Sequence, residues 1–261
     1  MVFANSSTVL SLLQIVSTFV PGLGATNTVL TNIDSRGPAQ PGDFFLRILP
    51  LGASITFGQK SSDGNGYRKV LRKQLRDEGW DVNMVGNSTA GDMKDSSMSG
   101  VPGFRIDQVH DLAIDSFRFQ PNVVLLNAGT NDAMQDFDTA NAPARMEELL
   151  DDLFLNVDGT TVVLSTLTIS TTSQMKKFRP GYNDALREMV SRRQADGDSI
   201  VLAEMDDERI TLDDMNEDGI HPKDSGYAVM ADIWFGAINE AAELGMLQQP
   251  KPGVEDVNKD D

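Results

Sequence analysis

The chain is 261 residues long and carries 39 acidic against 22 basic residues, a formal net charge of −17. Hydrophobic residues are 40 % and charged residues 23 %, which excludes a wholly disordered, collagen-like or polytopic membrane chain and leaves enough apolar material for one α/β core. The acidic balance argues against nucleic acid as a partner, and the absence of cysteine excludes disulfides, thiolate catalysis and Cys-ligated metal.

No charged side chain occurs from Met1 to Ile33, and Val9 to Val20 is mostly apolar. That run is too short and too rich in Ser, Thr and Gln for stable membrane insertion. Residues 1–25 are expected to be a signal peptide or an N-terminal arm. The first reading makes the protein extracellular; the second leaves a cytoplasmic location open. Strand and helix then alternate. Phe44 to Leu51 reads as a strand ending at Gly52, with Pro50 expected at its end. Tyr67, Val70, Leu71 and Leu75 recur at helical spacing, stopped by Gly79. Val82 to Val85 is a second strand before Gly86, and Ile106 to Phe117 carries a helical stripe. Asn122 to Asn127 is a strand apolar throughout its centre, as buried parallel strands are. Met146 to Leu153 predicts a helix, Thr161 to Leu167 a strand, Tyr182 to Met189 a helix and Ile200 to Ala203 a strand. Tyr227 to Leu244 is the last helix, and residues 248–261 read as a disordered acidic tail. Five strands alternating with helices imply one α/β domain over residues 44–245, with a parallel sheet covered on both faces.

In such sheets, ligands meet the carboxyl ends of the strands. Ser54 follows strand one, Gly86 strand two and Gly129-Thr130-Asn131-Asp132 strand three, while Asp218-Gly219-Ile220-His221 precedes the last helix. These are the parts of acyl transfer. A serine hydroxyl must lose its proton as it attacks, and an imidazole can accept it. A carboxylate on the other ring nitrogen fixes the tautomer, and Asp218 lies three residues before His221. The developing oxyanion needs donors already aimed at it, each worth roughly 3 kcal/mol of barrier. The Ser54 and Gly86 N–H groups and the Asn131 amide are the candidates. His110, the other histidine, sits beside an apolar helical stripe and reads as a half-buried surface residue. Asp214, Asn216, Asp218 and Gly219 imitate the start of an EF-hand, but Ser225 stands where the bidentate Glu belongs, so calcium is weakly supported.

Gly52-Ala53-Ser54-Ile55-Thr56, Gly86, Gly129-Thr130-Asn131-Asp132 and Asp218-Gly219-Ile220-His221-Pro222 together resemble the four blocks of the SGNH (GDSL-type) hydrolases. Ser61 to Arg68, Met84-Val85-Gly86 and Gly103 to Asp107 resemble the branch that contains carbohydrate esterase family 3, the acetyl xylan esterases, and its fungal relatives. The resemblance implies a three-layer α/β/α flavodoxin-like fold with a five-stranded parallel sheet. It also implies serine esterase activity on small-molecule or polysaccharide esters, short acyl and foremost acetyl, with no metal or other cofactor. By block position Ser54 is the nucleophile, His221 the base, Asp218 its orienting partner, and Ser54, Gly86 and Asn131 the oxyanion hole. Two residues depart from the pattern. Ala53 replaces the usual Asp, which implies an altered local hydrogen-bond network. Val101 stands where carbohydrate esterases often carry a polar residue, which bears on the glycan rather than on the reaction. The alternatives are a lysophospholipase or thioesterase with the same triad, and a glycan-binding protein without catalysis.

Overall fold

The computed structural model describes residues 37–254. The expected signal peptide over residues 1–25 lies outside them, as do the last seven residues of the expected tail. The backbone forms β1 (Leu46–Gly52), α1 (Ser54–Phe57), α2 (Arg68–Glu78), β2 (Val82–Met84), β3 (Ser88–Thr89), β4 (Ser97–Gly100) and α3 (Ile106–Ser116). It continues with β5 (Val123–Asn127), α4 (Thr130–Met134), α5 (Ala142–Asn156), β6 (Thr161–Ser165), α6 (Ser173–Asp196), β7 (Ile200–Ala203) and α7 (Asp224–Glu243).

β2, β1, β5, β6 and β7 lie side by side and all parallel. These are the five strands the sequence predicts. Among the described residues the sheet nevertheless has seven strands, not five. β4 pairs parallel with the last two residues of β1, and β3 pairs antiparallel with β4. Both escape hydrophobic patterning because they are short and polar; Ser97-Met98-Ser99-Gly100 offers one apolar side chain. β2 and β4 share one edge of β1 in succession, β2 beside Leu46–Ile48 and β4 beside Leu51–Gly52. Pro50 therefore sits inside β1 rather than at its end. The Ile48 carbonyl accepts from Val85 and the Gly52 carbonyl from Val101, so alternate residues of β1 face this edge. Pro50 faces it too, at the gap between β2 and β4, where no partner needs its missing N–H.

Alternate strand residues build two cores. Ile48, Val123, Leu125 and Val163 pack with Leu71 and Leu75 of α2 and Trp234 and Ile238 of α7. Leu51, Val124, Leu126 and Leu164 pack on the other face with Val109 of α3, Leu149 of α5 and Leu186 of α6. Each fully buried Leu or Val contributes roughly 1.5–3 kcal/mol through lost apolar exposure. The layers hold the carboxyl ends of β1 and β5 level, with Gly52 opposite Asn127. After α7, Asn122 donates to the Gln248 carbonyl and Arg47 to that of Lys251, so the first residues after 247 lie against the domain.

Candidate active site

Ser54 opens α1 one residue past β1. Gly52 makes the sharp exit possible, because a Cβ there would lie 2.4 Å from the Asn127 carbonyl and 2.5 Å from Thr56 Oγ1. Gly58, at φ +90, closes the short helix. Arg68 then locks it. This guanidinium is wholly buried and donates to the carbonyls of Thr56, Phe57, Gly64, Ala90 and Ser96. Burial pushes its pKa down, and five carbonyl dipoles stand where a carboxylate would ordinarily face it.

His221 comes from the turn ahead of α7. The turn is closed by the Asn216 N–H, which donates to the His221 carbonyl at 2.8 Å, and by the pairing of Met215 with Pro222. Asp218 Oδ1 accepts from the N–H groups of Ile220 and His221, both at 3.0 Å, and Oδ2 lies 2.8 Å from His221 Nδ1. Burial alone would raise the Asp218 pKa, but the two N–H groups and the imidazole bring it below the usual carboxylate value. An ionised Asp218 can only accept, so Nδ1 carries the hydrogen, and the neutral ring has its lone pair on Nε2. That lone pair faces Ser54 Oγ, 2.8 Å away. Ser54 is 6 % exposed and His221 9 %, so little water competes for the contact. The turn is tied to the sheet by Ser170, which donates to the Gly219 carbonyl at 2.6 Å.

The Ser54 and Asn131 side of the site forms one small pocket with Ala53, Asn127 and Gly129. Asn131 Nδ2 commits one hydrogen to the Phe104 carbonyl at 2.8 Å, leaving the other to point elsewhere. Gly129 requires its glycine, with φ +119 and the Tyr182 ring 2.6 Å from where a Cβ would be. Gly86 lies at the exit of β2 against β4, and a Cβ there would lie 2.1 Å from the Met98 backbone. His110 lies away from this cluster, on α3, 2.8 Å from Asp152 on α5. The calcium-like run is otherwise engaged: Asp214 accepts from Ser225 and Thr211, and Asn216 donates to Pro222.

The profile of the GDSL-like lipase/acylhydrolase family matches residues 48–234. The chain belongs to that family. It is a carboxylic ester hydrolase, and this acylhydrolase has its match spanning β1 to the middle of α7. No curated protein matches it significantly in sequence. Among solved structures it is similar to a family 3 carbohydrate esterase of Clostridium thermocellum, at TM-score 0.69 and 22 % identity, over 76 % of this chain and 97 % of that one. It is also similar to an acetyl esterase mutant with acetate ion, at TM-score 0.63 and 16 % identity over 76 % and 99 % of the two chains. A family 3 carbohydrate esterase of Talaromyces cellulolyticus matches at TM-score 0.62 and 17 % identity, over 76 % and 99 %. These likenesses establish the three-layer fold.

Two residues beside the candidate site carry no signal of their role in the sequence. Arg68 ends the Ser61–Arg68 stretch, and its five acceptors come from segments up to 28 residues away. Asp132 follows Asn131 and is wholly buried, taking the Ile106 N–H at 3.1 Å and Arg145 at 2.7 Å. It thereby ties the β5 exit to the start of α3. Among the described residues, no helix is long and apolar enough to cross a membrane.

Proposed function

We propose that this acylhydrolase cleaves short acyl esters, acetyl foremost, carried on a polysaccharide, with Ser54 as nucleophile. The observation that carries the reading is the unbroken contact from Asp218 through His221 to Ser54, each step 2.8 Å. Ser54 Oγ attacks the ester carbonyl while His221 Nε2 takes its proton. Asp218 stabilises the imidazolium. The oxyanion receives hydrogen bonds from the Ser54 and Gly86 N–H groups and from the remaining Asn131 hydrogen. His221 returns the proton to the leaving alcohol, giving an acyl-Ser54 intermediate. Water deprotonated by His221 then releases the acid. The tight surroundings of Ser54, Asn127 and Gly129 favour a small acyl group. A larger cleft lies between α4 and α6, where Gln135, Ser173, Gln174 and Lys177 could bond a sugar and Met134, Phe178 and Tyr182 add apolar surface. The acetyl and carbohydrate esterases of the same fold support this choice. The uncharged apolar stretch before Asp34 supports export, which N-terminal sequencing of the protein from culture medium tests.

Ser54→Ala is expected to abolish hydrolysis of p-nitrophenyl acetate and labelling by a fluorophosphonate. Turnover at the wild-type rate would remove Ser54 from the mechanism. Acetate release from acetylated xylan is expected to exceed fatty-acid release from a lysophospholipid; the reverse order would reassign the substrate.

A further inference from the structure

We propose that Ser99 and Ser116 are positioning residues for the Gly86 N–H, acting through a one-way chain of hydrogen bonds. The inference rests on the reading of Gly86 as an oxyanion donor. The Asn87 N–H donates to Ser99 Oγ at 3.1 Å. Ser99 Oγ lies 2.7 Å from Ser116 Oγ, and Ser116 Oγ donates to the Leu112 carbonyl at 2.6 Å. Ser116 Oγ also accepts from Asn87 Nδ2 at 2.9 Å. A serine hydroxyl has one hydrogen and two lone pairs. Ser116 gives its hydrogen to Leu112, so its lone pairs must serve Asn87 Nδ2 and Ser99. Ser99 is therefore the donor to Ser116, and its own oxygen is left to accept the Asn87 N–H. Every hydrogen points from the Asn87 main chain toward α3, and bonds aligned in this way polarise one another. Both serines are wholly buried, so neither can turn to water instead.

What the chain holds is the peptide on the far side of Gly86. On the near side the chain is anchored one residue earlier, where the Val85 N–H of the Met84–Val85 peptide donates to the Ile48 carbonyl at 2.8 Å. Between these anchors the Gly86 Cα rests on the Met98 backbone, where a Cβ would come within 2.1 Å. Peptide planarity leaves only the dihedrals of Val85 and Gly86 between the two tethered peptides, so the Gly86 N–H can swing little. The Gly86 N–H itself donates to no acceptor among the described residues. That leaves this N–H available to an oxyanion. Alanine in both places would fill much the same space but leave the Asn87 N–H without its acceptor. The two hydroxyls instead line up on the one main-chain N–H next to Gly86.

The test uses the full chain and p-nitrophenyl acetate. kcat is counted per site titrated by a fluorophosphonate, so unfolded protein does not enter it. The inhibition constant of a small alkylboronic acid, which becomes tetrahedral on Ser54, is measured alongside. Ser99→Ala and Ser116→Ala are each expected to lower kcat per site about 10-fold, with boronate affinity falling in parallel and KM within about two-fold. The double variant is expected to lose little more than the worse single, because one break already interrupts the chain. Ser99→Thr, which keeps the hydroxyl, is expected to recover most of the rate. Ser116→Ala carries the same readout should Ser99→Ala fail to fold. Both alanine variants within about two-fold of wild type in kcat and boronate affinity would overturn the inference. So would losses that multiply in the double variant together with a rising KM. Ser54→Ala is assayed beside them: if it still turns over the ester, the underlying catalytic reading has failed, and that result is separate from the serine variants.

Discussion

At the scale of single residues, the site is organised by what each polar atom can still do once its local bonds are made. Asp218 already holds two main-chain N–H groups, so its carboxylate is fixed in place before His221 meets it. Asp218→Asn can present an N–H to Nδ1 and favour the wrong tautomer. A fall in kcat of about 10³–10⁴-fold with KM little changed is expected in steady-state assays. The same carboxylate has a stability signature. Its folded-state pKa lies below the ordinary value of 3.8, so its contribution is full above that value and is lost as pH falls through the lowered one. Melting temperatures of wild type and Asp218→Asn should therefore converge as the pH is taken from about 6 to about 3. A gap that widens in acid would contradict the assignment. The same logic of atoms left over applies to Asn131, which has one hydrogen to offer because Phe104 takes the other.

At the scale of elements, the short helices after β1 and β5 matter more than the long ones. α1 has four residues and could not persist alone, since an isolated helix so short does not pay back its nucleation. Arg68 substitutes for length by gathering two carbonyls from the end of α1 with three from loops around it. Arg68→Met should leave these acceptors buried without donors and cost about 3–5 kcal/mol in urea unfolding, with Arg68→Lys falling between. α4 depends in the same way on α6. The Tyr182 hydroxyl donates to the Ala128 carbonyl at 3.2 Å, and its ring fills the space beneath Gly129. Gly129→Ala meets both a positive φ and that ring, so a loss of about 3 kcal/mol is expected in the same assay. A Gly129→Ala variant as stable as wild type would show that the turn relaxes freely.

For the whole molecule, a net charge of −17 surrounds a site whose reacting groups carry little charge of their own. Field effects reach about 10 Å at 0.1 M salt. Anionic esters should be disfavoured at low ionic strength and gain in kcat/KM as salt is raised, while a neutral ester such as p-nitrophenyl acetate changes little. Equal salt dependence for matched neutral and anionic esters would count against electrostatic exclusion. The three layers also explain why the site is deep yet rigid. β1 and β5 are buried along their whole length, and their last residues, Gly52 and Asn127, deliver the Ser54 turn and the Asn131 turn side by side.

How much of this was readable beforehand depended on the range of the signal. Periodicity locates β1, β2, β5, β6 and β7 because a strand buried on both faces must be apolar along its length. It does not locate β3 and β4, where the buried Ser99 looks like a loop residue until Asn87 and Ser116 are seen to bond it. The order of Ser54, Gly86, Asn131 and His221 marks the site because chain topology puts strand exits on one rim. By itself the sequence determined the class of fold, the family and the residues able to do acyl chemistry, since side-chain type and local spacing are covalent facts. Only the tertiary structure decided the 2.8 Å reach from Ser54 to His221 across 167 residues, the seating of Pro50 at a gap between strands, and the burial of Arg68 among carbonyls. Those depend on where distant segments come to rest, and packing in three dimensions, not neighbourhood along the chain, sets that.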